Sequence, residues 1–476
     1  MPTLHSILNG IAVLMLTIVL SVALFSQPPG NISPATPDPQ IAAALHEVSP
    51  ARIQQTIEKL VSFETRSTLS SDMPVASGKG ATAAAEWIRS EFERYAKACG
   101  GCLEVKTDEF TQEPGPRVST PTKITNVYAV LRGIDAANAG RIYLVSGHYD
   151  SRDSDNNDAK GAAPGANDDG SGTAVSLECA RVLSKHRFPA TIIFLTVAGE
   201  EQGLYGSAHF AKMAKAAGWD LEAVLNNDIV GGDHPTYGVF SGPSPAIPMP
   251  ENRDVVRVFS EGVTSTATAE EWKRIRALGG EGDSPSRQLA RYVAETAKEY
   301  LSLYDFRVML VFRPDRYLRG GDHLSFNDQG YAAVRFTELR ENYNHQHQNI
   351  RTENGVQYGD LPQFVNSDYI ANVARLNAAT LASLASAPAP PRNARLLTKG
   401  LVNDSTIKWE PSSEGFSINY ELLWRDTTAP DWEHIQPVGN AREATVTVSK
   451  DNVIFAVRSV DAKGHRSLAI VPLPER

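Results

Sequence analysis

Six positions in this chain are of the types that hold metal or move protons: His148, Asp168, Glu200, Glu201, Asp228 and one of His345 or His347. Four are carboxylates, and four carboxylates in one crevice repel strongly. A divalent cation is the simplest way to offset that charge. Imidazole and carboxylate donors without cysteine suit zinc or a similar borderline ion better than calcium. Six donors exceed what one tetrahedral zinc uses, so two ions about 3.5–4 Å apart, sharing a bridging carboxylate, fit better. Taken alone, the adjacent Glu200–Glu201 pair could simply fan into solvent from a loop. The surrounding pattern decides.

Glu200 and Glu201 follow Thr191–Val197 (TIIFLTV), an apolar run that reads as a fully buried strand. His148 follows a strand at Ile142–Ser146, and Asp228 follows one at Ala223–Leu225. Asp168 lies in GANDDGSG (165–172), which opens a helix with Val175, Cys179, Val182 and Leu183 on its apolar face. Helices are expected near 50–65, 82–98, 207–217, 269–278, 286–301 and 367–385, with further strands at 126–131, 306–312 and 332–337. Strand and helix alternate, which predicts an α/β fold with a mixed, largely parallel sheet sandwiched by helices. His148, Glu200, Glu201 and Asp228 then fall just beyond the carboxyl ends of strands, the edge where open α/β sheets form their sites, and Asp168, from the connection between two of those strands, can reach the same crevice.

The 476-residue length calls for two or three units. Segment 1–26 holds an apolar run, Ile11–Phe25, that suits a signal peptide cleaved after Ala23. Counted from residue 7 to 25, the run approaches the roughly 20 residues that span a bilayer, so a retained anchor is the alternative. The expectation is an exported protein, periplasmic or extracellular, that touches a membrane through this segment only. Residues 27–45 read as a linker. Cys99 and Cys102, in CGGC, suit a disulfide in an oxidising compartment, and Cys179 reads as an inert core thiol. The net charge of −9 offers no basic footprint for nucleic acid. After a short Pro-rich linker at 387–391, residues 392–476 alternate as short strands, predicting a small all-β sandwich.

Five segments occur in order with the spacing of a known family: SGHYDS (146–151), GANDDGSG (165–172), AGEEQGLYGS (198–207), Asp228 after Asn226-Asn227, and GDHLSF (321–326). Through them, residues 46–386 resemble the co-catalytic dizinc aminopeptidases, whose relatives include glutamate carboxypeptidases and glutaminyl cyclases. The resemblance implies peptide substrates and two zinc ions. His148 and Asp228 would bind the first ion, Glu201 the second, and Asp168 both. Glu200 would be the general base, taking a proton from a hydroxide-forming water between the ions. Asp150 would hydrogen-bond the far nitrogen of His148. The family carries Tyr-His as its last ligand segment; Tyr343-Asn344-His345 makes His345 the expected ligand, with His347 the alternative. Carboxypeptidase or dipeptidase action on the same site is the runner-up, followed by glutaminyl cyclase chemistry or a metal-free binding protein of the same fold. The tail, 392–476, resembles a fibronectin type III module, with Trp409 where a core Trp is expected.

Overall fold

The computed structural model describes residues 30–31, 36–234, 254–412 and 418–476. The expected signal or anchor segment, 1–26, lies outside the described residues, as does most of the Pro-containing loop after residue 234. Among the described residues no helix is long and apolar enough to cross a membrane.

A two-residue strand, β1 (Gly30–Asn31), precedes helices α1 (Pro39–His46), α2 (Pro50–Val61) and α3 (Gly80–Ala98). The main sheet follows, with strands β2 (Leu103–Gln112), β3 (Thr122–Leu131), β4 (Arg141–His148), β5 (Thr191–Val197), β6 (Asp220–Asn227), β7 (Val255–Ser260), β8 (Arg307–Val311) and β9 (Ala333–Glu338). Between these run α4 (Gly170–Leu183), α5 (Glu200–Gly203), α6 (Tyr205–Ala216), α7 (Ala269–Leu278), α8 (Pro285–Tyr300) and α9 (His323–Asn327). A hairpin, β10 (Arg351–Glu353) and β11 (Val356–Tyr358), leads to α10 (Ser367–Ser386).

The sheet order is β2-β3-β5-β4-β6-β9-β7-β8. Its centre, β5-β4-β6-β9, is parallel, while β3 and β7 run antiparallel to their neighbours in that centre. β5 shows why its sequence lacks alternation. Ile192 and Phe194 enter the core shared with α2, α3, α4, α8 and α10, whereas Ile193, Leu195 and Val197 enter a second core under α6 and α9. A strand covered on both faces needs apolar residues throughout.

Three departures from the expected elements have physical reasons. α1 occupies 39–46, inside the stretch read as linker: Asp38 caps it, Pro39 begins it, and Ile41, Ala44 and Leu45 are buried. β2 (LEVKTDEFTQ) is an edge strand with a largely exposed, charged face, so its pattern is weak. β7 was hidden behind the polar, Pro-containing stretch that precedes it.

The C-terminal region holds β12 (Arg392–Leu397), β13 (Ser405–Glu410), β14 (Asn419–Asp426), β15 (His434–Gly439), β16 (Glu443–Val446), β17 (Val453–Val460) and β18 (Leu473–Glu475). They form two four-stranded sheets, β1-β15-β14-β17 and β16-β13-β12-β18. Trp409 and Ile407 from one and Tyr420, Leu422, Trp424 and Phe455 from the other share a core. This unit docks on α8 through ion pairs. Arg458 bridges Glu295 (2.6 Å) and Glu421 (2.7 Å), and Arg425 meets Asp283 at 2.6 Å. His465 is buried between Asp38 (3.0 Å) and Asp461 (2.8 Å).

Removing Arg458 would strip Glu295 of its ion-pair partner and leave Glu421 with Arg466 alone (3.1 Å). Arg458→Ala is expected to cost about 3 kcal/mol in urea unfolding. Burial alone would raise Glu295 and Glu421, yet the Arg458 guanidinium holds both below the usual carboxylate range. Carboxylates lowered in this way add stability above their unfolded pKa and lose it as pH falls through the folded value. The cost of Arg458→Ala should therefore shrink below about pH 4, and an unchanged cost there would contradict the assignment.

Candidate metal centre

The carboxyl edge of the sheet is drawn tight by two glycines. A Cβ on Gly147 would lie 2.4 Å from the Gly172 carbonyl carbon, and one on Gly172 would lie 2.2 Å from the Asn227 oxygen. Only bare backbone lets the start of α4 sit against the ends of β4 and β6. Asp169 caps α4 through Gly172 N (2.8 Å) and also accepts from His148 N (3.0 Å), which orders the helix start. The Asp168–Asp169 peptide is cis. Asp360 accepts from the backbone of Asn167 (2.8 Å) and Asp168 (2.7 Å), fixing the loop from the other side.

Two donor clusters result: His148, Glu200 and Asp228, and Asp168, Glu201 and His347. Within each, one donor atom per residue lies within 4.8 Å of the others. Asp168 faces both imidazoles, with Oδ1 3.2 Å from His148 Nε2 and Oδ2 2.8 Å from His347 Nε2. Glu201 Oε1 is 3.1 Å from His347 Nε2, and Asp228 Oδ1 is 3.9 Å from His148 Nε2. His148 Nδ1 donates to the Asp150 carbonyl at 3.1 Å, with the Asp150 carboxylate 3.3 Å away. That fixes the ring proton on Nδ1 and leaves Nε2 to the crevice. The Asp150 carboxylate is steadied by Thr68 Oγ1 (2.9 Å) and the Glu201 amide (3.3 Å).

The electrostatics show what the site demands. Burial would lower His148, but the nearby carboxylates of Asp150, Asp168 and Asp228 raise it well above the ordinary histidine value. Burial likewise opposes His347, yet Glu201 and Asp168 pull it up to about 10. Both imidazoles are thus drawn toward a positive charge at the two places where a cation would sit. Burial, then the carboxylates of Asp228, Glu201 and Asp322, pushes Glu200 well above the usual range. His148 Nε2 is buried and has no hydrogen-bond partner among the described residues. An orphaned imidazole nitrogen facing two carboxylates, with no thiolate in the donor set, fits zinc.

The structure brings His148, Asp150, Asp168, Glu200, Glu201 and Asp228 together. It does not bring His345. That residue was expected as the last donor, but its Nδ1 pairs with Asp233 and its ring stacks on Phe364 at a 3.6 Å centroid distance. His347 takes the position instead, from a backbone with φ +54° that turns its ring into the crevice. His323 donates Nε2 to the Pro314 carbonyl at 2.8 Å.

Several neighbours were not found from sequence. Arg335 is fully buried and meets Asp228 at 2.9 Å. A lone Arg within the buried strand AVRFTE was the available signal, because such a charge requires a partner. Arg152 contacts Glu201 at 2.8 Å, and Gln346 donates to Asp168 at 3.0 Å. These loop contacts carry no periodicity to read.

The clusters open into a cleft of about 590 Å³ lined in part by Asp168, Glu200, Glu201, Asp228 and His347. Fold and donor set together describe a metal-dependent hydrolase. The chain belongs to peptidase family M28, whose pattern matches residues 126–359, and is a zinc metallopeptidase. A probable zinc metalloprotease of Pyricularia oryzae is 45% identical over 94% of this chain and 88% of its own. One from Pyrenophora teres is 43% identical over 94% and 90%. The solved LapA aminopeptidase of Legionella pneumophila shares the fold at a TM-score of 0.50 and 22% identity, covering 76% of this chain and 78% of that one.

Replacing the two histidines separately tests the geometry. His347→Ala should lose one equivalent of zinc by elemental analysis, while His345→Ala should keep the wild-type content. The reverse pattern would restore His345 as the ligand.

Proposed function

We propose that the protein is an exported aminopeptidase that removes N-terminal residues from peptides with two zinc ions. His148 and Asp228 would hold one ion, Glu201 and His347 the other, and Asp168 both. The observation that carries this reading is Asp168, whose two oxygens each face a different imidazole. Bound zinc supplies polarisation of the scissile carbonyl and a more acidic water.

The chain's own groups do the remaining work. Glu200 borders the cleft, half-buried and outside the ion pairs that hold Glu201, so it is placed to take a proton from the attacking water and return it to the leaving amine. His148 is oriented by Asp150 through Nδ1, and Glu201 by Arg152. Carboxylates of the two clusters would receive the substrate's free amino group, which selects N-terminal residues. The Cys99–Cys102 disulfide supports export into an oxidising compartment. The C-terminal sandwich is read as a fibronectin type III-like module steadying the peptidase through α8.

An amino-acid 4-nitroanilide should be hydrolysed and its N-acetyl form should not. Equal cleavage of both would sink the aminopeptidase reading. Glu200→Gln should retain zinc yet lose about 10²–10⁴-fold in kcat. Turnover near wild type would overturn its role as the base.

A further inference from the structure

The same cleft has a cationic side. Arg316 and Arg319 line it together with Glu200 and Asp228. With Arg257 and Arg335 they make four guanidiniums that share three carboxylates. Glu341 serves Arg257 (3.2 Å), Arg316 (2.9 Å) and Arg319. Asp315 serves Arg316 (3.0 Å) and Arg335 (3.3 Å), and Asp228 serves Arg335 (2.9 Å). Arginine keeps its charge at any working pH. In the reading above Asp228 belongs to a zinc ion, which leaves Asp315 and Glu341 against four positive charges.

Arg319 is the least committed of the four. It is half-buried and is tethered only through Nη1 to Glu341, whereas Arg316 is held at Nε, Nη1 and Nη2. Its remaining N–H groups have no protein partner among the described residues. A guanidinium fixed at one corner beside the reacting groups is suited to a carboxylate, which it can meet with paired hydrogen bonds.

We propose that Arg319, backed by Arg316, forms a subsite for a substrate carboxylate, so that the enzyme favours acidic substrates. This rests on the aminopeptidase reading and names its substrate class. The carboxylate has two sources: the side chain of an N-terminal Glu or Asp, or the free C-terminus of a short peptide.

Two comparisons on the zinc-loaded protein separate the sources. One sets Glu 4-nitroanilide against Gln 4-nitroanilide, and the other Leu-Gly against Leu-Gly amide. In at least one pair kcat/KM should favour the carboxylate member by about tenfold or more. The favoured pair identifies the source, and Arg319→Gln should bring its ratio close to one. Ratios near one in both wild-type pairs, or a ratio unmoved by Arg319→Gln, would overturn the subsite. Should Arg319→Gln fail to fold, the wild-type ratios still decide.

Calorimetric binding of Leu-Gly, Leu-Gly amide, and Glu- and Gln-initiated tripeptides to zinc-loaded Glu200→Gln gives an answer without turnover. Tighter binding of a carboxylate member upholds the subsite even if no N-terminal residue is ever released, a result that would sink only the aminopeptidase reading. Equal binding throughout overturns the subsite.

Discussion

Carboxylates crowded at the end of a buried sheet cannot stay charged together unless positive charge is placed among them. Asp168, Glu201 and Asp228 are all buried, with Glu200 and Asp322 beside them. The surrounding structure answers this constraint in layers. Arg335 lies behind Asp228, Arg152 beside Glu201, and an imidazole at each face of Asp168. Two of those layers are fixed guanidiniums. The remaining demand falls between the histidines, where the chemistry of the donors suits zinc.

Holding the donors in place is chiefly a backbone task. Arg66 is fully buried and donates to the carbonyls of Tyr149 (2.6 Å), Pro164 (2.5 Å) and Gly165 (2.8 Å). One side chain thereby staples both ends of the loop that separates His148 from Asp168. Asp169 joins the same loop to the end of β4 and to Ile229, next to Asp228. Loops of this kind carry function on a rigid scaffold because their few hydrogen bonds are made by residues such as these.

Much of this was legible in the sequence. β5 was readable because burial on both faces demands an unbroken apolar run, and its position placed Glu200 and Glu201 at the sheet edge. Gly165–Gly172 was readable as the start of a helix with an apolar face and as one of the family-like segments; the tight backbone approach that requires Gly172 shows only in the fold. His347 was legible only as the alternative. The segment 343–349 is irregular, and a positive φ at a non-glycine residue has no compositional mark, so the resemblance to the family's Tyr-His segment favoured His345. The arginine set was also hidden: Arg257, Arg316, Arg319 and Arg335 come from separate strands and loops, and only the tertiary fold gathers them around Asp315 and Glu341.

Asp168 is proposed to stand between two zinc ions, and the chemistry of the site turns on that placement. Anomalous diffraction at the zinc edge from crystals of the purified protein tests this directly. Two peaks about 3.5–4 Å apart, one at His148 Nε2 and one at His347 Nε2 with Asp168 between them, are the predicted result. A single peak, or a second one at His345, would contradict it.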